Sequence, residues 1–240
     1  MRGAAALRLK ALLAQLNITM ITVLPALNSS SAVAEYSVNS QGYRSAEFDS
    51  VDLSQIWLFG CSYAWSWACS QEHSLAHQLA VQTGMTVANF SQPGSSIRYQ
   101  VDQLSVLLSQ ALRPQRIAVV WPDTQRWPWY GTQGALQPEL SQALLSAHGA
   151  DDEYCDTRAR LDILEFRLLC ELVGVPLAEL SWSQTVQTAV PRPPHCPTAV
   201  DWTFPELDLG WDQRHPGAFS HRIAAEEFVL QWANIGPITK

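Results

Sequence analysis

Lysine is nearly missing from this chain. Lys10 and Lys240 are the two in 240 residues, and charged side chains of every kind amount to 15%, against ~25% in an ordinary globular protein. Acidic side chains outnumber basic ones by 22 to 15, for a formal charge of -7, and Lys and Arg form no cluster. That excludes the electrostatic footprint of a nucleic-acid or anionic-membrane surface. Beyond the amino-terminal stretch no run approaches the ~18 uninterrupted apolar residues of a membrane helix, so no stable span is expected. The five cysteines, Cys61, Cys69, Cys155, Cys170 and Cys196, include no CxxC pair, which argues against a zinc ribbon or a thioredoxin-like centre. Their odd number fits poorly with a complete disulfide framework and leans toward a reducing compartment. Internal repeats and low-complexity tracts are also missing.

What is present is apolar residue, 47% of the chain, enough for a core in one domain of this length. The sequence divides into an amino-terminal extension, 1–35, and a single domain, 36–240. Arg2, Arg8 and Lys10 precede an apolar stretch, and "AVA" at Ala32 to Ala34 has the form of a cleavage site, together a pattern close to a secretory signal. Gln15, Asn17 and Pro25 interrupt it, and an amphipathic helix accounts for the same residues. The cytoplasm is slightly favoured over secretion.

From Ile56 the chain alternates between two periods. "IWLFG" reads as a buried strand, and "RIAVVWP" from Arg116 to Pro122 is the cleanest such run. Continuous apolar runs are what parallel strands covered on both faces require. Leu75 and Leu79 mark a helix behind an expected N-cap at Ser70. "VANFS" from Val87 is a short strand. Ile97, Val101, Leu104, Leu108 and Leu112 line one helix face, and Pro114 ends it. Leu161, Leu164, Leu168 and Leu172 mark a long helix stopped by Gly174, "VPLAELSW" is the next strand, Pro191 to Pro197 is a stiff connection, and Phe219, Ile223 and Leu230 line a closing helix. Strands alternating with helices imply an α/β class, a parallel sheet between two helical layers.

The first strand stops in an unusual way: "FGCSYAW" puts two small nucleophile-capable side chains, Cys61 and Ser62, where binding and chemistry gather in such folds. Two further stretches fall at matching places, "NFSQPGSS" after the second strand and "WDQRHPGAFSH" before the last helix. This set resembles the SGNH/GDSL hydrolases, serine esterases on a flavodoxin-like three-layer α/β/α sandwich. The likeness extends from about Asn39, where "NSQGYRSAEFD" is similar to a segment preceding the first strand in such proteins, to Trp232. Gly60-Cys61-Ser62 stands where that family has Gly-Asp-Ser, a GCS variant.

By that resemblance Ser62 is the nucleophile, His215 the base and Asp212 its partner, while the backbone amides of Ser62 and Gly94 bind the oxyanion. The chemistry asks for such parts: a serine hydroxyl needs a base, and the base needs a third group to fix its tautomer. The family's further oxyanion donor, an asparagine, is missing from "VVWPDTQRW". An ionised Asp123 cannot donate, which leaves Thr124 or Arg126 as substitutes. Cys61 as nucleophile is the alternative, disfavoured because strand neighbours point to opposite faces. His73 and His77, without a third ligand, read as a solvated helix face rather than a metal site.

Ten tryptophans complete the picture. Trp65, Trp67, Trp121, Trp127, Trp129 and Trp211 fall near the site loops, and Trp127, Trp129 and Tyr130 are the expected substrate platform, flat faces suited to sugars or acyl chains. The expectation is a hydrolase of carboxylic esters acting on a small-molecule or glycan ester, O-acetylated carbohydrate preferred, without metal or organic cofactor. An O-acyltransferase or a non-catalytic carbohydrate-binding relative are the alternatives.

Overall fold

The computed structural model describes residues 36–48, 53–126, 151–193 and 202–235. Residues 1–35 and the expected platform of Trp127, Trp129 and Tyr130 lie outside them, as does Cys196.

Among the described residues four parallel strands form the sheet: β1 (Ile56–Gly60), β2 (Val87–Asn89), β3 (Arg116–Trp121) and β4 (Leu177–Ser181), in the order β2-β1-β3-β4. Beyond β4, a bridge to Thr203 continues the pattern, with Ser181 N donating to Trp202 O and Phe204 N to Ser181 O, both 2.8 Å. The helices are α1 (Ser62–Trp65), α2 (Leu75–Thr83), α3 (Ile97–Ser109), α4 (Asp152–Val173), α5 (Gln184–Ala189) and α6 (Ala218–Ile235). Because β1 to β2 and β2 to β3 step in opposite directions, right-handed crossovers put α2 and α3 on opposite faces of the sheet.

Strand alternation explains why β1 and most of β3 are apolar on both faces. Trp57, Phe59, Ile117, Val119 and Trp121 face a core shared with Val101, Leu104 and Leu108 of α3 and Ile163 and Phe166 of α4. Ile56, Leu58, Ala118, Val120, Ala178 and Leu180 face the opposite core, shared with Leu75 and Leu79 of α2 and Ala224, Phe228 and Trp232 of α6. The chain is a three-layer α/β/α sandwich, as the run lengths imply.

Three details differ from the sequence reading. Ser74, not Ser70, caps α2, accepting from His77 N, because Gln71–His73 form a separate 3-10 turn. On α4 the four leucines face outward: Leu161, Leu164, Leu168 and Leu172 are all exposed, and Cys155, Ala159, Ile163, Phe166 and Cys170 are buried instead. The helix carries two apolar stripes, and Asp162 marks the inner one, because Arg98 Nη1 on α3 donates to its carboxylate at 3.1 Å. On α6, Phe219 and Leu230 are exposed, and Ala224, Ala225, Phe228 and Trp232 form the inner face. No described helix is long and apolar enough to cross a membrane.

The strand order reverses between β1 and β3. The crevice outside the carboxyl ends of those two strands is where an open α/β sheet binds ligands.

Candidate active site

Gly60 turns β1 into α1 with φ +149°, and a Cβ there would lie 2.6 Å from Ala64 Cβ and 3.0 Å from Val120 O. Only glycine fits so tight a strand-to-helix turn. It delivers Ser62 as the first residue of α1, where its amide has no intrahelical carbonyl to bond. Cys61 is fully buried in the core, its sulfur accepting from Trp182 Nε1 at 3.3 Å. The two neighbours therefore part at the N-cap of α1 rather than along a strand, and the thiol packs in the core.

A buried guanidinium holds the far end of this turn. Arg44 donates to the carbonyls of Trp65 (3.3 Å), Ser66 and Cys69 (2.6 Å), with its Cζ 4.9 Å from the Tyr36 ring centroid and 5.3 Å from that of Trp65. The carbonyls left open where α1 ends thus find a donor that sequence spacing alone did not reveal.

Opposite Ser62, the loop from Leu209 to Pro216 folds into a two-residue antiparallel bridge and carries Asp212 and His215. Gly210 sits flat on the backbone of Ala68, where a Cβ would come within 2.6 Å of Ala68 O, and Trp211 N donates to that same carbonyl at 3.1 Å. The Cys69 thiol adds a bond to Pro216 O at 3.4 Å. Burial pushes that thiol up to about 11, so it stays protonated and donates.

Within the loop the Asp212 carboxylate is fully engaged. Asp212 Oδ1 accepts from the amides of Arg214 and His215, both 3.0 Å, and Oδ2 accepts from His215 Nδ1 at 2.6 Å. Partial burial, the largest single influence on Asp212, works to raise its pKa. The His215 amide, the imidazole and the Arg214 amide together outweigh it and hold the carboxyl below its ordinary value. With Nδ1–H committed to Asp212, Nε2 is left to accept from Ser62 Oγ, 3.1 Å away. The sequence-predicted Ser62, His215 and Asp212 thus form one hydrogen-bonded chain.

Gly94 lies in the turn after β2 with φ +74°. This turn is tied to β1: Gln92 N donates to Gly60 O at 3.0 Å, and Ser95 Oγ to the same carbonyl at 2.9 Å. After β3, Asp123 is occupied by its neighbours, accepting from Gln125 N (2.9 Å) and Ser183 Oγ (2.8 Å). Thr124 is buried and its hydroxyl has no hydrogen-bond partner.

Of the tryptophans near these loops, Trp121 is a core residue bonded to Glu179, and Trp65 is buried beneath the turn. Trp67 stands 6.2 Å from the His215 ring, centroid to centroid, and Trp211 is half exposed. The aromatic wall that spacing missed is Tyr63 with Trp182, stacked at 5.1 Å and 19°, with the Tyr63 hydroxyl donating to Glu206 at 2.5 Å. His73 and His77 are exposed. Among the described residues no group of three metal-ligating side chains occurs.

No family model matches the chain. No curated protein matches it either. Solved structures similar to it include the esterase EstA from Pseudoalteromonas sp. (15% identity, 75% of this chain and 99% of that one, TM-score 0.47). A carbohydrate esterase family 2 enzyme of Corynascus thermopiles is 12% identical over 76% of this chain and 66% of that one, TM-score 0.48. The family two carbohydrate esterase of Clostridium thermocellum is 14% identical over 77% and 65%, TM-score 0.44. The chain therefore spans about two-thirds of each of these two carbohydrate esterases. At such identities no residue role passes from them to this chain, and the site stands on its own geometry.

Proposed function

We propose that the protein hydrolyses carboxylic esters through an acyl-enzyme on Ser62. The observation that carries this reading is the relay from Ser62 Oγ to His215 Nε2 at 3.1 Å and from His215 Nδ1 to Asp212 at 2.6 Å. In the first half-reaction Ser62 Oγ bonds to the ester carbonyl carbon as His215 Nε2 takes its proton. The imidazolium, balanced by Asp212, then passes that proton to the departing alcohol. Water attacks the acyl-enzyme under the same base, the acid leaves, and Ser62 regains its proton.

The amides of Ser62 and Gly94 and the hydroxyl of Thr124 are the oxyanion donors in this reading. The free amide at the start of α1, the tie of the Gly94 turn to Gly60, and the unpartnered Thr124 hydroxyl support those roles. Trp67 beside His215, and the half-exposed Trp211 on the same loop, favour an O-acetylated carbohydrate as substrate. No cofactor enters the scheme.

Fluorophosphonate labelling followed by peptide mass spectrometry tests it. An adduct on Ser62 that disappears in His215→Ala is the expected result; no adduct, or one on Cys61, removes the reading.

A further inference from the structure

Trp182 touches both sequence neighbours of the nucleophile. Its Nε1 donates to Cys61 Sγ at 3.3 Å, and its ring stacks on Tyr63 with centroids 5.1 Å apart. Tyr63 in turn meets the His215 ring edge-on at 5.8 Å. Against the same indole lies a cation: Arg126 Cζ is 5.3 Å from the Trp182 ring centroid. The guanidinium therefore stands one aromatic ring away from the Ser62 turn.

Its bonding is incomplete. Arg126 forms no ion pair among the described residues, although Asp123 is only three positions away, because Asp123 is held by Ser183 and Gln125. Arg126 Nη1 is shielded from solvent and has no hydrogen-bond partner. Two residues earlier, Thr124 is 8% exposed and its Oγ1 is likewise unpartnered. A shielded donor left without an acceptor is costly, and more so on a cation. The indole supplies no hydrogen-bond acceptor to the guanidinium, so its open Nη1 stays matched to a carboxylate oxygen.

We infer that Arg126, set against Trp182, forms an anion subsite of the ester-binding crevice, and that the preferred substrate is an ester which itself carries a carboxylate. The inference rests on the esterase reading and narrows its substrate class. The carboxylate belongs either to the acyl group, as in a half-ester of a dicarboxylic acid, or to the alcohol, as in an acylated hydroxy or uronic acid. Both present the same two oxygens to the guanidinium edge.

Two matched substrate pairs separate these sources in the full-length protein. Mono-4-nitrophenyl succinate against 4-nitrophenyl valerate places the charge on the acyl side; 4-acetoxybenzoate against 4-acetoxybenzamide places it on the alcohol side. The expected result is a kcat/KM ratio favouring the charged member of one pair by about 10- to 100-fold, the range of a charge-assisted hydrogen bond. That ratio falls toward one in Arg126→Gln and is partly kept in Arg126→Lys. Calorimetric titration with benzoate against benzamide reads the subsite without turnover or a variant, and benzoate is expected to bind more tightly. Turnover of every ester with no charged preference in either pair overturns the subsite and leaves the esterase reading intact. So does a preference that survives Arg126→Gln. A common drop for charged and neutral esters in Arg126→Gln also overturns it and makes Arg126 an oxyanion donor. No turnover of any ester, with benzoate still preferred, removes the esterase reading and keeps the anion site.

Discussion

The two walls of the Ser62 crevice are built on opposite terms. On one side, the loop of Asp212 and His215 closes its bonds in advance: two amides and an imidazole meet one carboxylate, and Ala68 and Cys69 lock the loop to the turn that carries Ser62. On the other side, after β3, Thr124 Oγ1 and Arg126 Nη1 are shielded and unanswered. A base has to be oriented before substrate arrives, so its bonds are closed in advance. Donors meant for a transition state or a substrate have to stay open, at some cost to stability. Under the proposed function, the asymmetry separates the residues that prepare Ser62 from those that receive the ester.

The closed wall is broken most severely by Asp212→Asn. The Arg214 and His215 amides need an oxygen at the Oδ1 position, so the carboxamide NH2 is forced toward His215 Nδ1. That selects the tautomer with hydrogen on Nε2, which cannot accept from Ser62. A loss on the order of 10,000-fold in kcat is expected, with the melting temperature nearly unchanged because the loop amides keep an acceptor. Steady-state kinetics beside thermal denaturation check both halves, and activity near that of the native protein contradicts the role of Asp212.

The open wall is probed by Thr124→Val, which deletes the hydroxyl and keeps the shape. Loss of one oxyanion donor costs about 100- to 1000-fold in kcat with little change in KM. Stability is expected to move the other way, up by about 1 kcal/mol, because the buried hydroxyl has no partner to lose. Thr124→Ser restores the rate. Urea unfolding and kinetics on the same three proteins decide whether Thr124 is a donor or a filler.

The same contrast explains what sequence alone reveals. Asp212 and His215 form a local unit, and their spacing suffices to expect their bond. The strands are legible because continuous apolar runs such as Ile56 to Phe59 have two cores to face. Where a helix carries two apolar stripes, pattern cannot choose between them: the leucines of α4 are the more hydrophobic set, yet Phe166 and Ile163 face the sheet, with Asp162 drawn inward by Arg98. Arg44, Trp182 and the contact between Trp182 and Arg126 escape for another reason. Their partners are distant in the chain, as Arg44 and Cys69 are, or lie after another strand, as Trp182 does for Arg126. No local spacing encodes such contacts.

A second histidine supplies the smallest and most separable effect. His221 on α6 is fully buried, and its Nε2 donates to Tyr63 O at 3.2 Å, so it braces α1 from the side of α6. Burial pushes its pKa down to about 4, with the bond to Tyr63 opposing. A histidine that titrates near 6.5 when unfolded and near 4 when folded binds its proton more readily in the unfolded chain. Its stabilising contribution is therefore complete above about pH 6.5 and is lost as pH falls toward about 4, on the order of 3 kcal/mol in all. Asp208 and Asp212, both held below the ordinary carboxylate value, lose theirs at still lower pH. Raised carboxyls such as Asp162 and Glu227 act in the opposite sense, so the measurement is a difference. Urea unfolding of the native protein and of His221→Gln at pH 7 and pH 4.5 should show the two stability curves converging at the acid end. Parallel curves across that interval would mean that His221 titrates as it does in the unfolded chain and that the brace on Tyr63 carries no proton linkage.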